Sequence, residues 1–189
     1  MAERIFLGLG SNLGDRRAYL ERALSRLART PEVQVVARAS LYQTEPLGFT
    51  AQPRFLNTVV ELSSRLGPRA LLQRCQEIEA RLGRVRGRHW GPRRIDLDLL
   101  FYGMQIITEA DLQLPHPRLT QRRFVLVPLA ELAPQFRHPA TRRTIQELLE
   151  TLADDKGVMS YREGDSDLRS LSDKAGGDPR RQSVIRDLL

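Results

Sequence analysis

The sequence predicts an α+β domain with a ferredoxin-like βαββαβ core, followed by a C-terminal helix. Three observations support this prediction. Apolar or β-branched runs alternate with amphipathic helical stripes in the order β-α-β-β-α-β up to residue 102. That order is typical of the split βαβ arrangement, an antiparallel sheet with two helices on one face. The length of 189 residues suits one domain with an appendage.

Four segments are predicted to be strands, because they are rich in apolar and β-branched residues. They are residues 4–9, 33–41, 55–63 and 95–102. The apolar run 124–129 is interrupted by Pro128, so we expect an edge strand there at best. Residues 44–54 and 115–123 contain prolines and are predicted to be loops.

Three helices are predicted from apolar periodicity and capping residues. Asp15 is the expected N-cap of the first, and Pro68 lies in the first turn of the second. The expected buried stripes are Leu20, Ala23, Leu24 and Leu27 in the first helix, and Leu71, Cys75, Ile78 and Leu82 in the second. The third helix is predicted at 144–153. Residues 161–189 have balanced charge and little periodicity, so we expect a domain over 1–160 and a mobile tail.

The glycines between residues 8 and 14 follow a predicted strand and precede a predicted helix. Their GxGxxxG spacing is not the dinucleotide-binding fingerprint, and the chain has no GxxxxGK[ST] phosphate loop. We expect these glycines to permit a tight turn.

Positive charge is concentrated in one short segment. The net charge is +7, and residues 81–94 contain six arginines and no acidic residue. Guanidinium groups that lie within one Debye length act together and suit phosphate oxygens, so this segment predicts a polyanion site. No apolar run reaches 18 residues, the N-terminus has no secretory pattern, and Cys75 is the single cysteine. These features argue against a membrane span, a disulfide framework and a cysteine-based zinc site, and they favour a cytoplasmic protein.

The segment just after the arginines contains paired carboxylates. Asp96 and Asp98 alternate with Ile95, Leu97 and Leu99, so in a strand both carboxylates would share one face. Mg²⁺ prefers one or two carboxylates together with phosphate oxygens and water. Carboxylates beside an arginine cluster therefore predict a magnesium–triphosphate site, although an amphipathic strand with a solvated acidic face would show the same alternation.

Four further residues are candidates with two interpretations each. His116 lies between two prolines, which suits a ligand contact, but it could equally be structural or solvent-exposed. Asn57 within a strand could read the edge of a heterocycle or mark a bulge. Phe55 and Phe124 could be core residues or could stack on a flat ligand.

Three other functional classes stay open on these residues alone, one of which is a small-molecule regulatory domain, although such a domain would not need arginines beside paired aspartates. A ferredoxin-like nucleic-acid-binding domain would also be basic, but it would carry aromatic residues on its central strands. A metal-dependent nucleotidyl-transfer domain would also use paired aspartates, usually with a further carboxylate.

From residue 4 to about residue 155 the chain resembles the 6-hydroxymethyl-7,8-dihydropterin pyrophosphokinase family. The resemblance rests on the motifs GSN (10–12), YQTEPLG (42–48), FLN (55–57), GRVR (83–86), WGPRRIDLD (90–98), PHPR (115–118) and RRFVLVPL (122–129). It implies transfer of the β,γ-pyrophosphoryl group of ATP to the pterin hydroxymethyl group, with release of AMP. It further implies a protein that binds neither nucleic acid nor membrane, and we expect a monomer.

The resemblance also implies roles for individual residues. Asp96 and Asp98 would hold two Mg²⁺ ions, and with Arg84 and Arg93 they form the implied catalytic set. The implied ATP contacts are Gln76, Glu79, Arg84, Arg86, Arg88, Trp90, Arg93, His116 and Arg122, with Arg86, Arg88 and Trp90 in a loop that closes over the site. The implied pterin contacts are Thr44, Glu45, Leu47, Phe55, Asn57 and Phe124, of which the two phenylalanines would sandwich the ring.

Overall fold

The computed structural model describes residues 3–46, 50–84, 91–153 and 157–162. Its strands are β1 (Ile5–Ser11), β2 (Val33–Arg38), β3 (Tyr42–Thr44), β4 (Phe55–Ser64), β5 (Asp96–Tyr102), β6 (Ile107–Thr108), β7 (Gln113–Leu114) and β8 (Val158–Ser160). Its helices are α1 (Arg16–Ala28), α2 (Pro68–Arg81), α3 (Arg123–Leu132) and α4 (Ile145–Glu150), with a 3-10 turn at Leu119–Gln121.

A six-stranded antiparallel sheet forms the centre of the fold. Its strand order is β5-β1-β4-β3-β8, and β2 pairs with the part of β4 that β3 leaves free. The strands β6 and β7 form a separate two-stranded hairpin. The four predicted strands are therefore present in the order β5-β1-β4-β2, with a helix after the first and the third. This arrangement confirms the ferredoxin-like prediction.

Helices α1 and α2 pack on one face of the sheet. The Asp15 carboxylate accepts a hydrogen bond from the Ala18 N–H at 2.9 Å, which confirms the predicted N-cap of α1. Leu20, Ala23 and Leu27 of α1 are fully buried against the strands. Leu71 and Cys75 of α2 join the same apolar cluster, as the periodicity predicts.

The opposite face of the sheet is covered in part by α3 and α4, and here the predicted edge strand at 124–129 is wrong. Val125, Leu126 and Leu129 of α3 pack on Phe6 and Phe101 of the sheet. Positions 125, 126 and 129 lie on one side of a helix, whereas in a strand the neighbours 125 and 126 would face opposite sides of the sheet. Burial of these side chains outweighs the hydrogen bond that the proline in α3 cannot make.

Two segments extend the predicted core. The strand β3 pairs with β4 immediately before the loop predicted from residue 44, and β8 pairs with β3 at the edge of the sheet. The Tyr161 N–H donates to the Leu41 carbonyl at 2.8 Å, so the start of the predicted tail follows the sheet edge. Residues 163–189 of that tail lie outside the described residues. The last predicted helix, 144–153, is α4, with Thr144 as its N-cap.

Candidate active site

A cavity of about 410 Å³ opens on the sheet face that carries α3. Its floor is formed by β1, β4 and β5, which contribute Gly8, Gly10, Asn57, Val59, Asp96 and Asp98. Its walls include Arg84, Arg93, His116, Arg118, Arg122 and Phe124. The cavity therefore combines an apolar side near β4 and α3 with a strongly charged side near β5.

The two carboxylates lie on the cavity floor, as predicted from the strand alternation. Asp96 and Asp98 both line the cavity, while Leu97 between them is buried on the opposite face of the sheet. The neighbouring strand pairs Gly10 with Asp96 and Gly8 with Asp98. Because Gly10 carries no side chain, the Asn57 side chain can approach β1 closely beside the carboxylates.

Three arginines surround the carboxylates. Arg84 and Arg93 each lie 2.6 Å from a different oxygen of Asp96. Arg122 approaches Asp98 more loosely, at 3.4 Å. Burial, followed by the nearby charge of Asp98, raises the pKa of Asp96, and the arginines oppose this shift. Four arginines and three carboxylates line the cavity, so its lining carries a positive excess that suits an anionic ligand.

Two of these guanidinium groups keep a buried donor without a partner. The Nε atoms of Arg93 and Arg122 are buried and make no hydrogen bond. A buried donor left unpaired costs about 1–3 kcal/mol. Both arginines line the cavity, and their planar guanidinium forks suit phosphate oxygens, so they fit a phosphorylated ligand there.

Arg84 is held by an acidic residue on α2. The buried Glu79 forms an ion pair with Arg84 and accepts a hydrogen bond from the Leu97 N–H at 2.7 Å. Burial raises the pKa of Glu79 to about 7, although Arg84 acts in the opposite direction. Glu79 therefore connects the end of α2 to the strand that carries the carboxylates.

His116 lies on the cavity wall as a neutral donor. Burial, together with the charge of Arg122, lowers the pKa of His116 to about 4. Its Nδ1 accepts a hydrogen bond from the Arg118 N–H at 3.2 Å. The neutral ring therefore carries its proton on Nε2 and can donate one hydrogen bond to a ligand.

The apolar side of the cavity has one polar group on its floor. The amide nitrogen of Asn57 donates to the Thr44 hydroxyl at 2.6 Å. A Cβ atom at Gly10 would lie 2.6 Å from the Asn57 Oδ1, so this close approach requires glycine. The prediction of a tight turn at Gly8 and Gly10 is wrong, because both lie within β1. Of these three glycines, Gly14 has a positive φ, and it lies in the bend before α1.

The two phenylalanines of the site lie next to its arginines. The guanidinium of Arg93 lies 5.7 Å from the ring centre of Phe55, and that of Arg122 lies 5.6 Å from the ring centre of Phe124. These distances are within the range of cation–π contacts. Both rings also line the cavity, so each joins the charged and the apolar side of the site.

Most of the predicted residues are brought together by the fold. Eleven of them line the cavity, namely Thr44, Glu45, Phe55, Asn57, Arg84, Arg93, Asp96, Asp98, His116, Arg122 and Phe124. Glu79 lies behind Arg84, and Gln76 is exposed on α2 and does not line the cavity. Leu47, Arg86, Arg88 and Trp90 lie outside the described residues.

Sequence reasoning missed three contributors. Gly8 and Gly10 line the floor, and the available signals were their position within an apolar run and, for Gly10, its place in the GSN motif. Arg118 also lines the cavity, and its place in the PHPR motif was the available signal.

The donor set fits Mg²⁺ better than a transition metal. Asp96 and Asp98 offer hard carboxylate oxygens, and phosphate oxygens with water would complete the coordination. Over residues 3–46, 50–84, 91–153 and 157–162, no group of three or more His, Cys, Asp or Glu side chains could hold a metal on its own. In the same ranges, no helix has the length and apolar character needed to cross a membrane.

Comparison with known proteins identifies close relatives. The model of the family described as 7,8-dihydro-6-hydroxymethylpterin-pyrophosphokinase matches residues 6–134. A Methylorubrum extorquens protein named 2-amino-4-hydroxy-6-hydroxymethyldihydropteridine pyrophosphokinase is 52% identical over 131 residues, which cover 69% of this chain and 83% of the relative. The Pseudomonas aeruginosa protein of the same name is 45% identical over 149 residues, 79% of this chain and 91% of that relative.

Solved structures share the fold. The crystal structure of wild-type Plasmodium falciparum HPPK-DHPS superposes with a TM-score of 0.62 and 14% identity. The match covers 79% of this chain and 44% of that larger chain, so this chain spans less than half of its length. At this identity the likeness concerns the fold alone.

Proposed function

Since the chain belongs to the 7,8-dihydro-6-hydroxymethylpterin-pyrophosphokinase family, we propose that it transfers the β,γ-pyrophosphoryl group of ATP to 6-hydroxymethyl-7,8-dihydropterin and releases AMP. In this family the reaction serves folate biosynthesis. The oxygen of the hydroxymethyl group attacks the β-phosphorus, the bond from that phosphorus to the oxygen that bridges it to the α-phosphate breaks, and the hydroxyl proton passes to water. Family membership disfavours the nucleic-acid-binding and nucleotidyl-transfer alternatives.

The observation that carries this proposal is the cluster of three arginines around the paired carboxylates. Arg84, Arg93 and Arg122 line the cavity, and Asp96 lies between Arg84 and Arg93. We assign the triphosphate to this side. Because the donors are fixed before the ligand arrives, they stabilise charge that develops on the phosphates without reorganising.

The pterin belongs on the other side of the cavity. Phe55 and Phe124 provide flat apolar surfaces for the ring, and Asn57 provides one amide for the polar ring edge. Thr44, which pairs with Phe55 across β3 and β4, and Glu45 also line the cavity. This placement directs the hydroxymethyl group toward β5 and its carboxylates.

Asp96 and Asp98 would hold two Mg²⁺ ions. Bound there, Mg²⁺ neutralises phosphate charge and lowers the pKa of a coordinated hydroxyl group. His116 donates from Nε2 to a phosphate oxygen, and its low pKa keeps the ring neutral at physiological pH. Arg84 stays on the phosphate side because Glu79 holds it there. The protein therefore acts by positioning and charge neutralisation, which suffices for phosphoryl transfer.

Product analysis with a labelled substrate tests the proposal. The chain is incubated with ATP, Mg²⁺ and 6-hydroxymethyl-7,8-dihydropterin whose hydroxymethyl oxygen is ¹⁸O, and products are identified by ³¹P NMR and mass spectrometry. We expect AMP and a pyrophosphorylated pterin that keeps the label in its C–O–P bridge. Formation of ADP, or loss of the label, would contradict attack of this oxygen on the β-phosphorus.

A matched control separates the site from contaminating kinases. Asp98→Asn removes one carboxylate of the cavity, and Asp111→Asn removes an exposed carboxylate that pairs with Arg69 on the surface. AMP formation should vanish in the first variant and persist in the second. Equal rates in both variants would place the activity elsewhere.

A further inference from the structure

A second cleft lies between α1 and α2, on the sheet face opposite the proposed active site. Its volume is about 450 Å³. Five arginines line it, namely Arg22, Arg26, Arg29, Arg74 and Arg81, and Glu77 is its one acidic residue. The side chains on its rim therefore carry a net charge of +4, which is five cations less one anion.

Most of this positive charge is uncompensated. Glu77 pairs with Arg74 at 2.6 Å. In the part of the chain that the structure describes, no carboxylate forms an ion pair with the other four arginines of the cleft. Elsewhere on the surface, exposed arginines do find acidic partners, as Arg4 does with Glu61 and Arg69 does with Asp111. Like charges gathered around one cleft repel each other unless an anion lies between them.

The arrangement of the cleft indicates the size of that anion. Arg22, Arg26 and Arg29 come from α1 and its C-terminal end, and Arg74 and Arg81 come from α2. A ligand between them would be bound from two sides. One phosphate group would neutralise about half of the charge, whereas a short chain of phosphates carries about four negative charges and matches it.

The composition of the cleft argues against a nucleotide base or a nucleic acid. Besides the charged side chains, its described lining consists of Ser25, Thr30, Pro31 and Ile78, without an aromatic residue. Proteins that bind single strands stack bases on aromatic rings. We propose that this cleft is a binding site for a compact inorganic or organic oligophosphate, separate from the active site and independent of the proposed function.

Calorimetric titration with inorganic tripolyphosphate tests this assignment. The full chain is titrated in magnesium-free, low-salt buffer, where the arginines of the active site also bind the probe. We expect two equivalents for the wild type. The variant Arg26→Gln/Arg81→Gln should show one equivalent, because the affinity of the cleft for tripolyphosphate is lowered about tenfold or more. The control Arg65→Gln/Arg142→Gln removes two exposed arginines outside both sites and should keep two equivalents.

Amide chemical shifts locate the second equivalent. Addition of tripolyphosphate should shift the amide signals of Thr30 and Ile78 in the wild type and leave them unchanged in the cleft variant. Unshifted Thr30 and Ile78 signals in the wild type, or two equivalents in the cleft variant, would each overturn the proposal. A single-stranded oligonucleotide that displaces the probe at equal phosphate concentration would overturn it as well, in favour of a nucleic-acid backbone.

Discussion

Asn12 binds the backbone of Arg93 through two hydrogen bonds. The side-chain Oδ1 of Asn12 accepts from the Arg93 backbone N–H at 2.7 Å, and the backbone N–H of Asn12 donates to the Arg93 carbonyl at 3.0 Å. The side-chain Nδ2 of Asn12 also donates to the Pro53 carbonyl at 3.1 Å and to Gln52 Oε1 at 3.0 Å. One buried side chain therefore connects the arginine beside Asp96 to the segment that leads into β4.

Asn12→Ala should lower both stability and turnover. It leaves the Arg93 N–H and the Pro53 carbonyl without their partners, which costs about 1–3 kcal/mol of unfolding free energy. Arg93 loses its fixed position, and misplacement by about 1 Å can reduce kcat by about 100-fold. Urea unfolding and steady-state kinetics measure the two effects.

Asn12→Asp is the matched control. The carboxylate still accepts from the Arg93 N–H but cannot donate to the Pro53 carbonyl, so we expect an intermediate loss of stability and of kcat. Wild-type kcat in the alanine variant would show that Arg93 needs no support from Asn12.

The contact between Asn12 and Arg93 could not be predicted from the sequence, because it spans 81 residues. The alternation around Asp96 and Asp98 was predictable, since a strand fixes which side chains share a face. The secondary structure of residues 124–129 could not be predicted in the same way. A short apolar run with one proline fits a strand or a helix equally well, and the choice depends on which sheet surface is left to cover.

Replacement of the two carboxylates should separate metal binding from folding. Asp98→Asn removes repulsion from Asp96, so without metal its unfolding free energy should stay unchanged or rise slightly. Asp96→Asn removes the negative charge and one of the two oxygens that Arg84 and Arg93 share, and it should lose about 1–3 kcal/mol. Both should lower kcat by about 100-fold or more.

Thermal unfolding with and without Mg²⁺ and an ATP analogue measures the metal effect. The wild type and the surface variant Asp111→Asn should be stabilised by the pair of ligands, and both site variants should not. Undiminished stabilisation of either site variant would contradict the assignment of the metal to these residues.

The close approach of Gly10 to Asn57 predicts a non-additive pair of substitutions. Gly10→Ala would place Cβ 2.6 Å from Oδ1, and overpacking of this kind costs about 1–3 kcal/mol. Adding Asn57→Ala removes the clash. The loss of unfolding free energy in the double variant should therefore be smaller than the sum of the two single losses by about 1 kcal/mol or more.

Gly8→Ala is the control for this pair, because its Cβ would meet Leu100 at an ordinary 3.6 Å. Its stability should be close to that of the wild type. Additive effects of Gly10→Ala and Asn57→Ala in urea unfolding would refute the steric explanation.

His116 should contribute stability that is lost in acid. Burial lowers its pKa to about 4, against about 6.5 in the unfolded chain. Between these values the unfolded state binds the extra proton, so the contribution is present above about pH 6.5 and is lost as the pH falls toward 4. As the pH falls from about 6.5 to 4, the wild type should therefore lose up to about 3 kcal/mol of unfolding free energy relative to His116→Gln. Metal-free urea unfolding at pH 7, 5.5 and 4 measures it, and parallel pH profiles would contradict it.

Glu79 should act in the opposite direction over an overlapping pH range. Burial raises its pKa to about 7, against about 4.5 in the unfolded chain, so the folded state binds the extra proton between these values. The contribution of Glu79 is present below about pH 4.5 and is lost as the pH rises through 7. The wild type should therefore lose up to about 3 kcal/mol relative to Glu79→Gln across this range.

Glu79→Ala removes the same titration and also the acceptor of the Leu97 N–H. In metal-free urea unfolding, the glutamine and alanine variants should show parallel pH profiles. The alanine variant should be less stable at every pH by about 1–3 kcal/mol, because a buried N–H loses its partner. A constant difference between wild type and Glu79→Gln from pH 4.5 to 7.5 would show that this carboxyl keeps its proton equilibrium on folding, and that Arg84 compensates the cost of its burial in full.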